Sequence, residues 1–171
     1  MALVNGPIFK VAWVVDDLQG AERWFTETFG VPAWTRWNLV HCGPEHCTYR
    51  GQKADFVVDV SIGYAGDQQL ELIEPKQGAS IYTEHLERCG PGLHHIAFVP
   101  DDFETTLAEA VARGITVTQQ GAFEGGIEFA YLDGSPGGAP NIELMKVAPA
   151  MRDYFDSLRA SSAKLAAARG A

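Results

Sequence analysis

The hydrophobic pattern of the chain contains one unit written twice. The run KVAWVVDDL at 10–18 aligns with HIAFVPDDF at 95–103, matching four apolar positions and the Asp-Asp pair that follows them. A short apolar run predicts a strand, and an Asp just before a new apolar period is typical of a helix N-cap, here Asp17 and Asp102. Each copy therefore predicts a strand that leads directly into a helix.

Both predicted helices carry an apolar stripe with helical spacing and end at a glycine. Gly30 and Gly114 mark the two ends, because glycine readily adopts the left-handed conformation in which helices often finish. The stripe positions are Leu18, Ala21, Phe25 and Phe29 in the first copy, and Phe103, Leu107 and Ala110 or Val111 in the second.

Three further strands are predicted after each helix, because short apolar segments alternate there with turn residues. They cover 33–40, 55–65 and 68–75 in the first copy, and 115–120, 127–133 and 141–147 in the second. Each copy is thus a βαβββ module, and the predicted fold class is α+β.

These modules divide the chain into four parts. A first module spans 8–75, a linker helix lies within 76–91, a second module spans 92–148, and an extra C-terminal helix occupies 149–171. The last helix is amphipathic, so we expect it to pack outside the repeat or on a partner chain.

The last predicted strand of each module places a glutamate between two apolar residues, as LEL around Glu71 and IEL around Glu143. Successive side chains of a strand point to opposite faces of the sheet. If the apolar neighbours lie under a helix, both glutamates face the other, concave side. The same alternation places His95 on that side and His94 on the opposite one.

Charge and composition narrow the function. The formal net charge of -9 argues against a nucleic-acid or anionic-membrane partner, since phosphate binding needs clustered Lys and Arg. No apolar run reaches the roughly 18 residues of a membrane span, and no signal-peptide pattern opens the chain, so we expect a cytoplasmic protein. Three cysteines at spacings that fit no disulfide framework agree with a reducing compartment.

The loop HCGPEHC at 41–47 gathers two histidines and two cysteines. A zinc knuckle is one interpretation, but such sites usually draw a second ligand pair from elsewhere in the chain. We favour a turn, with His41 near the rim of a substrate site. Trp37, Tyr64 and Tyr131 lie in predicted strands, and those that face inward would form an apolar wall suited to a ring or an acyl group.

Taken together, the duplicated module, GLHHIAF at 92–98, ELIEP at 71–75 and the terminal IEL resemble the vicinal oxygen chelate superfamily. That superfamily includes glyoxalases, epimerases, extradiol dioxygenases and drug-resistance proteins, and the likeness is closest to the epimerase and glyoxalase branches. It covers about 8–147. The resemblance implies that the modules form one cupped, barrel-like mixed sheet.

In that superfamily each module supplies one metal ligand from its first strand and one from its last. By position these residues are Lys10, Glu71, His95 and Glu143. Lys10 departs from the usual His or Gln, and an ammonium has no lone pair to ligate a metal. Two alternatives follow. A divalent metal ion is held by Glu71, His95 and Glu143, or the Lys10 ammonium lies between the two carboxylates and compensates their charge.

The resemblance implies an isomerase, epimerase or lyase that acts on an enolisable carbonyl compound. A cation, either the metal ion or Lys10, would stabilise the oxyanion, and Glu143 would be the base. Methylmalonyl-CoA is a doubtful substrate, because the first ligand is missing and no basic patch is evident for the CoA phosphates.

Two other functions stay open. Ring-cleaving dioxygenation at iron typically uses two His and one carboxylate, and only His95 matches. A non-catalytic protein that binds a drug-like ligand in the cup is the second alternative. We expect a small molecule as partner and a homodimer as the assembly.

Overall fold

The computed structural model describes residues 2–123, 125–138 and 141–169. The first half contains β1 (Lys10–Val14), α1 (Leu18–Phe29), β2 (Trp34–Cys42), β3 (Thr48–Tyr49), β4 (Gln52–Lys53), β5 (Phe56–Ala65) and β6 (Gln68–Gln77). Helix α2 (Ile81–Cys89) leads to β7 (Gly92–Phe98), α3 (Phe103–Ala112), β8 (Val117–Phe123), β9 (Ile127–Leu132) and β10 (Asn141–Val147), and α4 (Pro149–Arg169) follows.

The predicted α+β fold class is confirmed. The ten described strands form one curled mixed sheet in the order β2-β5-β6-β1-β7-β10-β9-β8-β3-β4. The two first strands, β1 and β7, are antiparallel neighbours at its centre, and each pairs in parallel with the last strand of its own half. The duplicated halves therefore meet where their equivalent strands lie side by side.

A short hairpin, β3–β4, was not expected from the sequence. Strand β3 pairs with β8 of the second half, so the hairpin extends the far edge of the sheet. Its turn places Arg50 and Gly51 at φ 49° and 75°. Strands of two residues carry too little periodicity to be recognised in advance.

The predicted helix ends are confirmed. Asp17 accepts a hydrogen bond from the Gly20 backbone N–H at 2.9 Å, and Asp102 accepts one from the Thr105 backbone N–H at 2.9 Å. Gly30 has the expected left-handed conformation, with φ 69°. These caps fix the direction in which α1 and α3 leave the central strands.

Helices α1 and α3 cover one face of the sheet, as the alternation of the last strands predicts. Leu72 packs with Leu18 beneath α1, and Leu144 packs with Phe103 and Ala110 beneath α3. One stripe position differs from expectation, because Phe29 is 60% exposed; of the alternatives Ala110 and Val111, the structure buries Ala110. Phe29, at the last position of its helix, contacts Trp24 instead of the sheet.

The C-terminal helix does not lie outside the repeat. Met151, Phe155 and Leu158, which recur at helical spacing, pack with Ile62 and Tyr64 in one apolar cluster. The expected location was wrong because this stripe finds its apolar partner on the chain's own β5. Residues 170 and 171 of the predicted helix lie outside the described residues. None of the described helices combines the length and apolar character that crossing a bilayer requires.

Candidate active site

Strand register brings the four predicted polar residues together on the concave face. Residues that pair across the neighbouring strands β6, β1, β7 and β10 form rows. One row contains Glu71, Ala12 and His95, and the row two residues away contains Lys10, Ala97 and Glu143. Rows two residues apart share a face, so the polar side chains converge. Ala12 and Ala97 are fully buried between them, and their small side chains leave space above the sheet.

The Lys10 ammonium lies between the two carboxylates. Its Nζ is 2.8 Å from Glu71 Oε2 and 3.1 Å from Glu143 Oε2. His95 Nε2 approaches the same two oxygens, at 3.4 Å and 3.2 Å respectively. All four residues are buried. The arrangement compensates two carboxylates that would be costly to keep ionised without a nearby cation.

The pKa values reflect this mutual compensation. Burial alone would raise the pKa of Glu71 and of Glu143, but the Lys10 ammonium and the His95 imidazole lower both. Burial opposes the charge on Lys10 and His95, yet the carboxylates raise the pKa of each. The cluster therefore favours two ionised carboxylates beside a protonated lysine.

The donor set also fits a divalent metal ion. Glu71, His95 and Glu143 each offer a ligand atom, and these atoms lie within 4.8 Å of one another. Glu71 Oε2 and Glu143 Oε2 are buried, and each lies within ion-pair distance of both Lys10 Nζ and His95 Nε2. Oxygen and imidazole ligands suit several divalent ions. An ion bound there would compete with Lys10 for the carboxylate oxygens.

His94 lies on the concave side, which corrects the prediction that it faces away. The register of β1 and β7 shifts between Ala12 and Trp13, so strict alternation fails beside the two histidines. His94 Nδ1 is 2.9 Å from His95 Nδ1, and His94 Nε2 is 3.4 Å from Asn141 Nδ2. Burial and the neighbouring imidazoles hold the pKa of His94 well below its ordinary value. Neutral His94 therefore orients the His95 ring toward the carboxylates.

A cavity of about 170 Å³ opens onto this cluster. Its polar end contains Lys10, Glu71, Glu143 and Gln69, and the remaining described walls are mainly apolar. They are formed by Trp37, Val40, Val58, Val60, Ile62, Ile73, Tyr82, Phe123, Ile127, Tyr131, Met145, Met151 and Phe155. A small molecule with one polar group fits this distribution.

Of the four predicted wall residues, the structure brings two to the cavity. Trp37 and Tyr131 line it. Tyr64 is buried behind the wall, where its hydroxyl donates to the Phe155 carbonyl at 3.0 Å. His41 is not among the lining residues; its side chain is 59% exposed and Nε2 lies 2.7 Å from an Asp55 oxygen.

The His/Cys loop forms no metal-binding group within the described residues. Cys42 and Cys47 are buried in the apolar core, whereas His41 points to solvent. The turn interpretation is the one that the structure shows, with residues 44–46 forming the turn.

Among the wall residues that sequence reasoning missed, three come from the helices. Tyr82 of the linker helix forms a 2.8 Å hydrogen bond with the Tyr131 hydroxyl, and burial raises the pKa of both phenols well above the ordinary value. Met151 and Phe155 of α4 close another part of the wall. Their spacing of four residues was the available indication that α4 has an inward face.

Comparison with known proteins finds one family whose model matches most of the chain. The model of the glyoxalase/bleomycin resistance protein/dioxygenase superfamily matches residues 9–131. A search of curated proteins finds no match.

Several solved structures share the fold at low sequence identity. A hypothetical protein from Bacillus halodurans C-125 is 16% identical, with a TM-score of 0.62 over 83% of this chain and 94% of its own. Methylmalonyl-CoA epimerase from Mycobacterium tuberculosis is 18% identical, with a TM-score of 0.59 over 89% of this chain and 94% of its own. A variant of the Streptomyces coelicolor epimerase, in complex with 2-nitronate-propionyl-CoA, is 21% identical, with a TM-score of 0.58 and coverages of 82% and 96%.

Proposed function

Because the chain belongs to the glyoxalase/bleomycin resistance protein/dioxygenase superfamily, we propose that it is an epimerase- or glyoxalase-like enzyme. It would act as an isomerase or lyase on a small carbonyl compound with a removable alpha proton. The observation that carries this proposal is the buried cluster of Lys10, Glu71, His95 and Glu143 at the polar end of an apolar cavity.

Lys10 supplies the charge that the reaction needs. A carbonyl oxygen placed at Nζ accepts a hydrogen bond from the ammonium, and this interaction strengthens as negative charge develops on the oxygen. Burial excludes bulk water, so the interaction is stronger than it would be at the surface. A divalent ion held by Glu71, His95 and Glu143 would supply Lewis-acid stabilisation of the same oxyanion.

Glu143 takes the alpha proton. The C–H bond breaks, its proton moves to a Glu143 oxygen, and its electron pair forms the enolate whose charge rests on the carbonyl oxygen. After the Glu143 proton exchanges with solvent, delivery of a solvent-derived proton to the other face of the carbon gives epimerisation, and its delivery to another atom gives isomerisation. The pairing with Lys10 lowers the pKa of Glu143 and weakens it as a base. Transfer of the Lys10 hydrogen bond to the substrate oxygen restores its basicity.

Proton exchange in D2O tests this proposal whatever product the reaction forms. The protein is incubated with a panel of neutral ketones, 2-oxo acids and acyl-CoA thioesters, and loss of the alpha-proton signal is followed by NMR. We expect exchange faster than in buffer for the neutral ketones. A panel in which no compound exchanges above the buffer rate would contradict the proposal.

The ion pairs of Lys10 also favour a second candidate, a binding protein without catalysis. A lysine that pairs with both carboxylates compensates their charge at the polar end of the apolar cavity, without any chemical step. Saturable ligand binding without any alpha-proton exchange would support this candidate. Iron-dependent ring cleavage is less favoured, since the cluster contains one imidazole and two carboxylates where that chemistry typically uses two imidazoles and one carboxylate. The pairing of two copies stays a prediction, which analytical ultracentrifugation tests.

A further inference from the structure

The C-terminal helix forms part of the cavity wall and is connected by hydrogen bonds to β6, the strand that carries Glu71. Met151 and Phe155 line the cavity, and Phe155 is only 5% exposed. The Phe155 carbonyl accepts a hydrogen bond from the Tyr64 hydroxyl, which in turn accepts one from Gln69 Nε2 at 2.7 Å. Gln69 lies on β6, two residues before Glu71. The position of α4 is thereby coupled to the polar end of the cavity.

The wall that α4 supplies lies beyond the part of the chain that the family model matches, which is 9–131. Its inward face is narrow. Met151, Phe155, Leu158 and Ser162 are the positions of α4 that turn toward the rest of the molecule, while most of its other residues are exposed. Two side chains of one helix therefore limit the space beside the cluster.

The size of the cavity limits the substrate. At about 170 Å³ it is close to the apolar cavity of about 150 Å³ that accommodates benzene, and smaller than the roughly 300 Å³ at which pockets for drug-sized ligands begin. A single six-membered ring, or an acyclic molecule of similar bulk, fills it. A fused bicyclic ring exceeds this volume, so it would have to displace Met151 or Phe155 or extend out of the open side of the cavity.

The charge of the cavity limits the substrate further. Among its described lining residues Lys10 is the sole cation, and Glu71 and Glu143 already compensate it. An added carboxylate or phosphate would meet these two carboxylates without a partner of its own. The lining therefore selects a neutral ligand.

We infer that the substrate is a neutral, compact ketone of about one ring, and that Met151 and Phe155 are the residues that set its upper size. The substrate class rests on the proposed function, which orients the carbonyl group toward Lys10. The size limit rests on the cavity alone.

Ligand binding tests this inference independently of catalysis. The probes are cyclohexanone and its bicyclic relative 2-decalone, and dissociation constants are measured by ligand-observed NMR titration. We expect the wild type to bind cyclohexanone at least roughly ten times more tightly than 2-decalone. Met151→Ala or Phe155→Ala enlarges the cavity, and the affinity for 2-decalone should then rise roughly ten-fold. Leu158→Ala, which removes an apolar side chain from the same face of α4 but not from the cavity lining, should leave both affinities unchanged.

A narrowing variant covers the case in which an alanine variant fails to fold. Met151→Phe adds bulk at a partly exposed position, and it should weaken cyclohexanone binding by roughly ten-fold while thermal unfolding shows a folded protein. The inference is overturned if the wild type binds neither ketone, if it binds propionyl-CoA more tightly than cyclohexanone, or if folded Met151 variants keep the wild-type preference.

The two proposals fail separately in these measurements. Size-selective binding of cyclohexanone without exchange of its alpha protons would remove the enzymatic proposal and leave the size limit in place. If the alpha protons of cyclohexanone exchanged at the same rate in the wild type and in the Met151 variants, the enzymatic proposal would stand and the size limit would be removed.

Discussion

Lys10 is the residue on which the charge balance of the buried cluster depends. Its ammonium contacts both carboxylates of the cluster. Without this cation, the negative charges of the two carboxylates would repel each other. A buried ion pair is not in itself a large source of stability, but removal of one partner leaves an uncompensated buried charge. The consequences of replacing Lys10 are therefore predictable in sign.

Lys10→Met should destabilise the protein by about 3–5 kcal/mol when a chelator is present, because two buried carboxylates lose their cation. Addition of Mn²⁺ should recover part of this loss, since Glu71, His95 and Glu143 can hold a metal ion. Urea unfolding with and without Mn²⁺ measures both effects.

The matched control is Lys76→Met, which removes an exposed lysine paired with Glu74 and should leave the free energy of unfolding close to that of the wild type. If Lys10→Met unfolded in chelator at the wild-type urea concentration, the compensating role of Lys10 would be wrong.

At this scale the sequence predicted the shared face of Glu71, Glu143 and His95, because strand alternation and the repeat both constrain it. It failed at His94. A register shift between β1 and β7 places His94 beside its neighbour, and nothing in the composition of GLHHIAF distinguishes a regular strand from a bulged one. The ring contact between the two histidines could be known only from the pairing.

At the scale of elements, the chain directs each central strand into its helix through a capping aspartate. Asp102 accepts hydrogen bonds from both the backbone N–H and the hydroxyl of Thr105, at 2.9 Å and 2.8 Å. Because α3 covers the strand that carries Glu143, the cap also supports the candidate site from behind.

Asp102→Ala should raise the equilibrium constant of unfolding roughly five-fold, the usual effect of losing an N-cap side chain. The neighbouring Asp101 is exposed and caps no helix, so Asp101→Ala is its control. Chemical denaturation of both variants gives the comparison. Equal stability of the two variants would show that the cap is dispensable.

The arrangement of elements was predictable where it repeats and unpredictable where it does not. Because the βαβββ unit occurs twice, each copy supports the prediction of equivalent strands in the other, and apolar runs and turn residues located these strands. Helix α4 and the β3–β4 hairpin occur once each. The amphipathic stripe of α4 indicated a buried face without indicating which surface would cover it, and its contact with β5 decides that Met151 and Phe155 line the cavity.

At the scale of the whole molecule, a surface ion-pair network connects the β3–β4 hairpin to the linker helix. Glu84 of α2 pairs with Arg50 of the hairpin at 2.7 Å and with Arg88 of its own helix at 2.8 Å. Hydrogen bonds from Arg50 lower the pKa of Glu84 to about 2, against an ordinary value of 4.5. The unfolded chain therefore binds the proton more readily than the folded one.

It follows that the contribution of Glu84 to stability is complete above pH 4.5 and is lost as the pH falls toward about 2. Glu84→Gln should remove part of this dependence, so that its free energy of unfolding declines less steeply than that of the wild type over this range. Glu87→Gln, at an exposed position of the same helix, should follow the wild-type curve. Identical slopes for the wild type and Glu84→Gln would exclude the network as a source of acid sensitivity.

The most direct test of the central claim is the rate at which the alpha protons of cyclohexanone exchange with D2O in the presence of the wild type and of Glu143→Gln. If Glu143 is the base at the polar end of the cup, the wild type accelerates exchange and the variant loses that acceleration by roughly 10² or more, while it still binds the ketone. Glu128→Gln, at a partly exposed position of β9 outside the cavity lining, should exchange at the wild-type rate. Equal rates in the wild type and Glu143→Gln would contradict the account.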